Sequence, residues 1–351
     1  MFGVSALITF RKQAQDQLSD YVRGVIWSSN GKYLAAISAA GEAVLWKEAE
    51  SPQRVRLDLL TAGDFSCDCL GFSANSQFLA VGGQAGKVWV WDVLQDVPKL
   101  VLEQVYPSVW IDHLAWHPVE ERVAIATHRQ VQIWDLQHQK QTATLEFESS
   151  SVLDLAWHPA GEYLAVSGHG GVKIWDLQTP EMPLLLFEVP GASLTCRWSA
   201  DGQYLASGNL DRTLSVLAWE KPPPWLMQGF PGKVSHITWA DGAALLAAAC
   251  VDGITVWRRE GGNWNSHVLT EHQGFVNAIA FQPQTQLLAS GGEDQRVLLW
   301  KGAKKVNQTL KGLSAGVACL AWHPLGHYLV GGGMDGQLMI WCMDTPSKGF
   351  G

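Results

Sequence analysis

Cys69, His113 and Asp154 are residue types that bind borderline-soft cations. Each stands three residues before an aromatic, Phe72, Trp116 and Trp157 respectively. His128 and His169 each stand six residues before a later tryptophan, Trp134 and Trp175. A mixture of thiolate, imidazole and carboxylate suits Zn²⁺. No close spacing such as C-x-x-C reinforces it. A second histidine set lies in "AWHP", which occurs at residues 115–118, 156–159 and 321–324. There the bland chemistry suffices. A first turn residue that accepts a backbone hydrogen bond, followed by proline, describes a type I turn. The phosphate-cradle, Gly-x-Ser-x-Gly, His-Glu-x-x-His and calcium-loop signatures are missing from the sequence. "GGQAGK" at residues 82–87 joins two predicted strands, so it is not a helix-capping phosphate loop.

The elements that would position these groups follow from composition and period. The 351 residues are 47% hydrophobic and 17% charged, with 35 glycines and 18 tryptophans. This fits an all-β chain rich in turns, and no stretch approaches the length of a membrane helix. A net charge of −8 argues against nonspecific nucleic-acid or anionic-membrane binding. The first residues lack the features of a signal peptide. Six unevenly spaced cysteines suggest reduced thiols and a cytoplasmic location.

The pattern apolar–x–apolar–Trp ends at Trp46, Trp91, Trp134, Trp175, Trp257, Trp300 and Trp341. Leu217 takes the Trp place in the one doubled interval, which makes eight units spaced 40–45 residues apart. Each unit opens with a run ending in an aromatic: Trp27, Phe72, Trp116, Trp157, Trp198, Trp239, Phe281 and Trp322. A polar turn, a second apolar run, the Trp run and a fourth, less regular run follow. Four short strands repeated at this period have the spacing of propeller blades. "EKPPPW" at residues 220–225 reads as a stiff, exposed spacer loop.

On these repeats, on the Trp-Asp pairs at Trp91, Trp134 and Trp175, and on the "SADG" turn at residues 199–202, the chain resembles the WD-repeat β-propeller family. The resemblance implies a single all-β propeller over residues 1–351, with the first strand of each unit innermost. We expect eight four-stranded blades. Residues 5–11 would be the outer strand of the last blade, closing the ring, and residues 342–351 a short tail. The resemblance also implies that His272, Ser290, Asp294 and Trp300 form the family's structural tetrad, a buried hydrogen-bonded chain and not a hydrolytic triad.

Three functional readings follow. The first is a noncatalytic, monomeric platform that needs no cofactor and binds other proteins at the upper face and channel mouth. That face would be built from the loops entering each first strand and the turns leaving each second one. The residues expected there are Arg23, Trp110, His128, Arg129, His169, Asn209, Leu210, Glu293 and Met334. The second is a Zn²⁺-binding or -delivery propeller using Cys69, His113, Asp154, His128 and His169. The third, an enzyme with a pocket at the channel mouth, lacks an aligned base, nucleophile and orienting group.

Overall fold

The computed structural model describes residues 8–344 apart from Glu220 and Pro222. Each repeat unit folds as an antiparallel meander. In the first unit the strands are Val22–Trp27, Tyr33–Ser38, Ala43–Lys47 and Val55–Leu60. The two middle strands are buried throughout most of their length and the fourth is exposed. That gradient explains why the fourth run is the least regular in sequence: one face of it meets water.

Between the first two strands the "SADG" chemistry is explicit. Ser199 Oγ donates to Asp201 Oδ1 at 2.6 Å and accepts from the Tyr204 amide at 3.0 Å, while Gly202 N–H reaches the Ser199 carbonyl at 2.9 Å. In the His-Pro turns, His117 Nδ1 replaces the serine and accepts from the Glu120 amide at 2.8 Å.

The strands assemble into seven hydrogen-bonded sheets. Counting one sheet as one blade, the propeller has seven blades, and the expectation of eight is corrected. The Leu217 unit is not left out of the ring. It is fused to its predecessor in a six-stranded sheet comprising Asp154–Trp157, Tyr163–Asp176, Leu185–Trp198, Tyr204–Asn209, Leu214–Ala218 and Trp225–Met227. Two 14-residue strands make the junction. Leu185–Trp198 pairs through its first part with residues 171–174 and through its second with residues 205–209. Elsewhere a loop interrupts the pairing between units; here one strand carries on past a local kink at Gly191, whose φ is +74°, and changes partner there.

The ring is closed by the N-terminal strand. Phe10–Gln17 pairs antiparallel with Gln337–Met343 and completes the sheet of Val317–Trp322 and Tyr328–Gly333. The strand lies downstream of the expected residues 5–11, of which 5–7 fall outside the described residues. Burial sets this register. Phe10 packs edge-on to Trp322 at 5.4 Å, Leu18 is buried beyond the strand's end, and Gln308 hydrogen-bonds both the amide and the carbonyl of Phe10. Met343, expected in a tail, is the last residue of the third strand of this sheet.

Neighbouring units are tied at their innermost strands by a repeated contact. The indole N–H of each of five tryptophans donates to a carbonyl of the preceding unit. The pairs are Trp116 to Gly71 (2.8 Å), Trp157 to Ala115 (3.0 Å), Trp198 to Ala156 (3.2 Å), Trp239 to Arg197 (3.0 Å) and Trp322 to Ala280 (3.0 Å). Each acceptor is the residue just before that unit's own aromatic. Phe72 and Phe281 have no donor to offer, and the Trp27 indole finds no acceptor among the described residues.

The His-Pro turns add a second layer to this contact. His117, His158 and His323 sit edge-on to Trp157, Trp198 and Trp27 of the following unit, with ring centroids 4.8, 4.9 and 5.0 Å apart. His117 Nε2 also bonds the Gly161 carbonyl at 2.9 Å. "AWHP" is therefore a clamp: its tryptophan reaches backward, its histidine reaches forward and, in the copies at residues 115–118 and 156–159, its alanine offers the carbonyl. Turn chemistry accounts for one ring nitrogen of His117, and the neighbouring unit for the other.

Gly161, Gly202 and Gly31 adopt φ of +83°, +70° and +73°, and a Cβ at any of them would overlap the facing histidine ring. Gly161→Ala should therefore lower the melting temperature by more than the backbone strain of about 1 kcal/mol, and His117→Ser in the same chain should recover part of that loss. Additive effects in a double-mutant thermal-melt cycle would refute the clamp. Deleting residues 1–17 should abolish cooperative melting. A truncated chain with an unchanged melting temperature would contradict closure by the N-terminal strand.

Candidate functional site

His272, Ser290, Asp294 and Trp300 meet inside the sheet of Val276–Phe281, Leu288–Gly292, Val297–Lys301 and Lys305–Leu310. Trp300 Nε1 donates to Ser290 Oγ at 2.8 Å. His272 Nε2 lies 2.7 Å from the same oxygen, and its Nδ1 lies 3.0 Å from both carboxylate oxygens of Asp294. The chain of donors fixes the tautomer. Indole can only donate, so the serine hydroxyl gives its proton to Nε2 and the imidazole proton sits on Nδ1, facing Asp294. Gln273 N–H and Arg296 Nε also donate to the carboxylate, each at 3.0 Å, and the Arg296 amide at 3.3 Å. Burial opposes ionisation of Asp294, but the Gln273 amide and the His272 hydrogen bond outweigh it and hold the carboxyl below its ordinary range. Burial pushes the His272 imidazole down. Ser290 is fully buried and its oxygen is already shared between Trp300 and His272. A substrate has no route to it, so the Ser–His–Asp geometry serves to satisfy buried polar groups.

The fifth unit solves the same problem with different residues. Ser207 Oγ bridges Ser193 and the Asn209 side-chain carbonyl, both at 2.7 Å. Asn209 Nδ2 donates to Thr213 and Ser215 at 2.9 and 3.0 Å. Asn209, expected on the upper surface, is thus fully buried. Its amide is consumed within the sheet, because an interior position after Ser207 leaves no solvent to satisfy it.

The metal cluster does not assemble. Among the described residues no group of three or more His, Cys, Asp or Glu side chains could hold an ion, which corrects the Zn²⁺ expectation. Cys69 is buried with its thiol against the Ile111 carbonyl at 3.2 Å, and burial pushes its pKa well above the ordinary thiol value. Asp154 turns toward the fifth unit. It accepts from Thr195 Oγ1 at 2.7 Å, the Cys196 amide at 3.1 Å and Arg197 Nη1. Burial again opposes ionisation, but the Arg197 charge outweighs it and lowers the carboxyl pKa. His113 stands 4.0 Å from the same carboxylate. His128 Nδ1 pairs with Ser151 Oγ at 3.0 Å, and His169 is exposed. A carboxylate already neutralised by a guanidinium gains little from a cation.

The upper face is different. Trp110, Asp112, His113 and His128 line a cavity of about 370 Å³ together with Ser108, Val109, Ala126, Ser151 and Val152. Trp110 is 63% exposed despite its size. Arg129, Leu210 and Glu293 are also exposed, Met334 is half-buried, and exposed Arg23 is paired with Asp68 at 3.0 Å. Two large residues absent from the sequence-based set join Trp110: Phe65, 57% exposed, and Phe275, 54% exposed. Each occupies a loop entering an innermost strand, six or seven residues before that strand's closing aromatic. That offset was a usable sequence signal. The Phe275 carbonyl accepts from the Glu293 amide at 2.9 Å, which ties this loop to the upper turn of its own sheet.

The family model for "WD domain, G-beta repeat" matches residues 59–92, 139–176, 187–216, 264–301 and 304–342, together more than half of the chain. The chain belongs to the WD40 repeat family. Among its relatives, the 66 kDa stress protein of Physarum polycephalum is 28% identical over 31% of this chain. The ribosome biogenesis protein WDR12 homolog of Nematostella vectensis is 34% identical over 25%, and one of the subunits of chromatin assembly factor 1 from Gallus gallus is 26% identical over 36%. The matched segments cover 18%, 22% and 26% of those proteins' own lengths. WD40 propellers generally serve as protein-interaction platforms.

Asp294→Ala should cost about 1–3 kcal/mol, the penalty of an unsatisfied buried partner, and a variant of full thermal stability would refute the structural role of the tetrad. The pH dependence has a definite sign. The unfolded chain binds protons at the ordinary imidazole value near 6.5, whereas His272, His117 and His323 are all depressed in the fold, in each case by burial first. Stability should therefore fall as pH drops below about 6.5 and through those lower values. The Asp294 contribution, present above about 3.8, should be lost at still lower pH as its depressed folded value is crossed. Melting temperatures that stay flat from neutral pH to pH 5 would contradict this.

Proposed function

We propose that this WD40 propeller is a noncatalytic platform that docks another protein on its upper face. The carrying observation is that Phe65, Trp110 and Phe275 stand exposed at near-equivalent loop positions of three units. Large aromatics held on rigid scaffolds dominate binding energy where they enter a partner's pocket, because little conformational freedom is lost. The rest of the upper set, Arg23, His128, Arg129, His169, Leu210, Glu293 and Met334, would form the polar and mixed rim around these anchors. The relative from chromatin assembly factor 1 is, by its name, one component of a larger factor. Assembly with other chains is the corresponding reading here. We further propose a reducing compartment such as the cytoplasm, because all six cysteines are free thiols.

Trp110→Ala should weaken capture of the native partner in a proximity-labelled pull-down by about tenfold or more, as truncation of an aromatic anchor does. Charge reversal at Arg129 or Glu293 should weaken it less. His158→Ser, in a turn on the opposite face, should leave capture intact with the protein folded. Loss of capture in His158→Ser together with full capture in Trp110→Ala would reverse the faces.

A further inference from the structure

The channel holds a feature that the platform reading shares only at Arg23. A cavity of about 550 Å³ opens along the innermost strands of the fifth to eighth units and ends at Arg23 of the first. Its wall carries Arg197, His236 and Arg23, with the hydroxyls of Ser235 and Thr238 between them. None of its lining residues is an aspartate or a glutamate. In a protein of net charge −8, a cavity wall that presents guanidinium groups and no carboxylate stands apart.

Each arginine is held from behind by a carboxylate that does not line the cavity. Asp68 fixes Arg23 Nε at 3.0 Å and its side chain is only 3% exposed; Asp154 fixes Arg197 through Nη1 and its side chain is 10% exposed. Asp154 is anchored in turn by Thr195 and the Cys196 amide. The Asp154 contact occupies only one nitrogen of the Arg197 fork, and the side chain is 46% exposed within the channel wall. His236 is open to the channel yet surrounded by protein. The desolvating wall, with Arg197 and Lys233 beside it, pushes its imidazole below the ordinary value. A bound anion would reverse that pressure by favouring the protonated ring.

We propose that this cavity binds a small, multiply phosphorylated molecule. Two guanidinium forks at the ends of one arc, preset by buried carboxylates, match phosphate oxygens in geometry and in charge. The volume falls within the range of small-molecule sites. Phosphate is favoured over an apolar ligand because the wall offers forked cations and hydroxyls. It is favoured over a cation because no carboxylate faces the cavity.

The test is calorimetric titration of the full-length protein with inorganic tripolyphosphate, alongside citrate as a carboxylate of similar charge. The expected result is one site per chain, tighter for tripolyphosphate than for citrate and weakening as salt rises. Arg23→Gln should lower the affinity about tenfold or more. Arg197→Gln strips Asp154 of its partner and can unfold the chain, so Arg197→Lys is the companion variant. It keeps the charge beside Asp154, removes the fork, and should lose affinity while retaining the melting temperature. Lys87→Gln, on the third strand of the second unit and paired there with Glu103, should bind like wild type. Absence of binding at millimolar tripolyphosphate overturns the proposal. So does equal affinity in Arg23→Gln and Arg197→Lys, a loss in Lys87→Gln as large as theirs, or tighter binding of citrate.

Discussion

Five of the eight units are tied to the one before by a hydrogen bond between innermost strands, from an indole N–H to a backbone carbonyl. A propeller's sheets are internally satisfied, so nothing in their own ladders tells one sheet where its neighbour must sit. The indole supplies that information. It fills the wedge between sheets with a large apolar ring and ends in one donor that fits one acceptor. Each such bond contributes about 1 kcal/mol net, and the edge-on histidines add a comparable amount. Their repetition fixes the spacing on which the channel and the upper loops rest.

Polar satisfaction is handled unit by unit and not by a repeated formula. One sheet uses His272, Ser290, Asp294 and Trp300. Another uses Ser193, Ser207, Asn209, Thr213 and Ser215. Trp134 reaches the Tyr106 hydroxyl at 3.1 Å, and Trp46 reaches Asp16 at 2.8 Å. In these sheets the buried indole donor takes whichever oxygen is near, and no one acceptor type is required. This is why a tetrad complete in one unit can be missing from the others while those sheets still fold.

Much of the architecture is legible in the residues because it depends on local period. Alternating apolar runs, the turn residues and the strand-end aromatics all lie within a few positions of one another. Trp110 could be placed on a loop entering an innermost strand once the repeat was aligned, and the resemblance to WD-repeat proteins put His272 with Asp294 in one polar chain. Phe275 carried the same offset as Trp110, and Phe65 one residue more. They are harder to separate from core aromatics, because a loop phenylalanine looks like a strand phenylalanine until its strand is known to begin after it.

Other features were decided by contacts between units, which no local pattern encodes. Cys69, His113 and Asp154 share an alignment position, yet Asp154 hydrogen-bonds Arg197 of the next unit, with His113 only 4.0 Å away and the Cys69 thiol turned to the Ile111 carbonyl. Asn209 has the composition of a surface turn and is sealed by Ser207 and Thr213. The fusion of the fourth and fifth units turns on whether strand pairing resumes beyond the positive-φ kink at Gly191, which packing of the adjoining strands settles. By itself the sequence determined the repeat, the strand pattern and the turn chemistry, since these are interactions among near neighbours in the chain. Only the tertiary structure decided the number of sheets, the partner of each buried charge and the forward reach of the "AWHP" histidines. Each of those depends on which atoms about 40 residues away are brought within hydrogen-bonding distance.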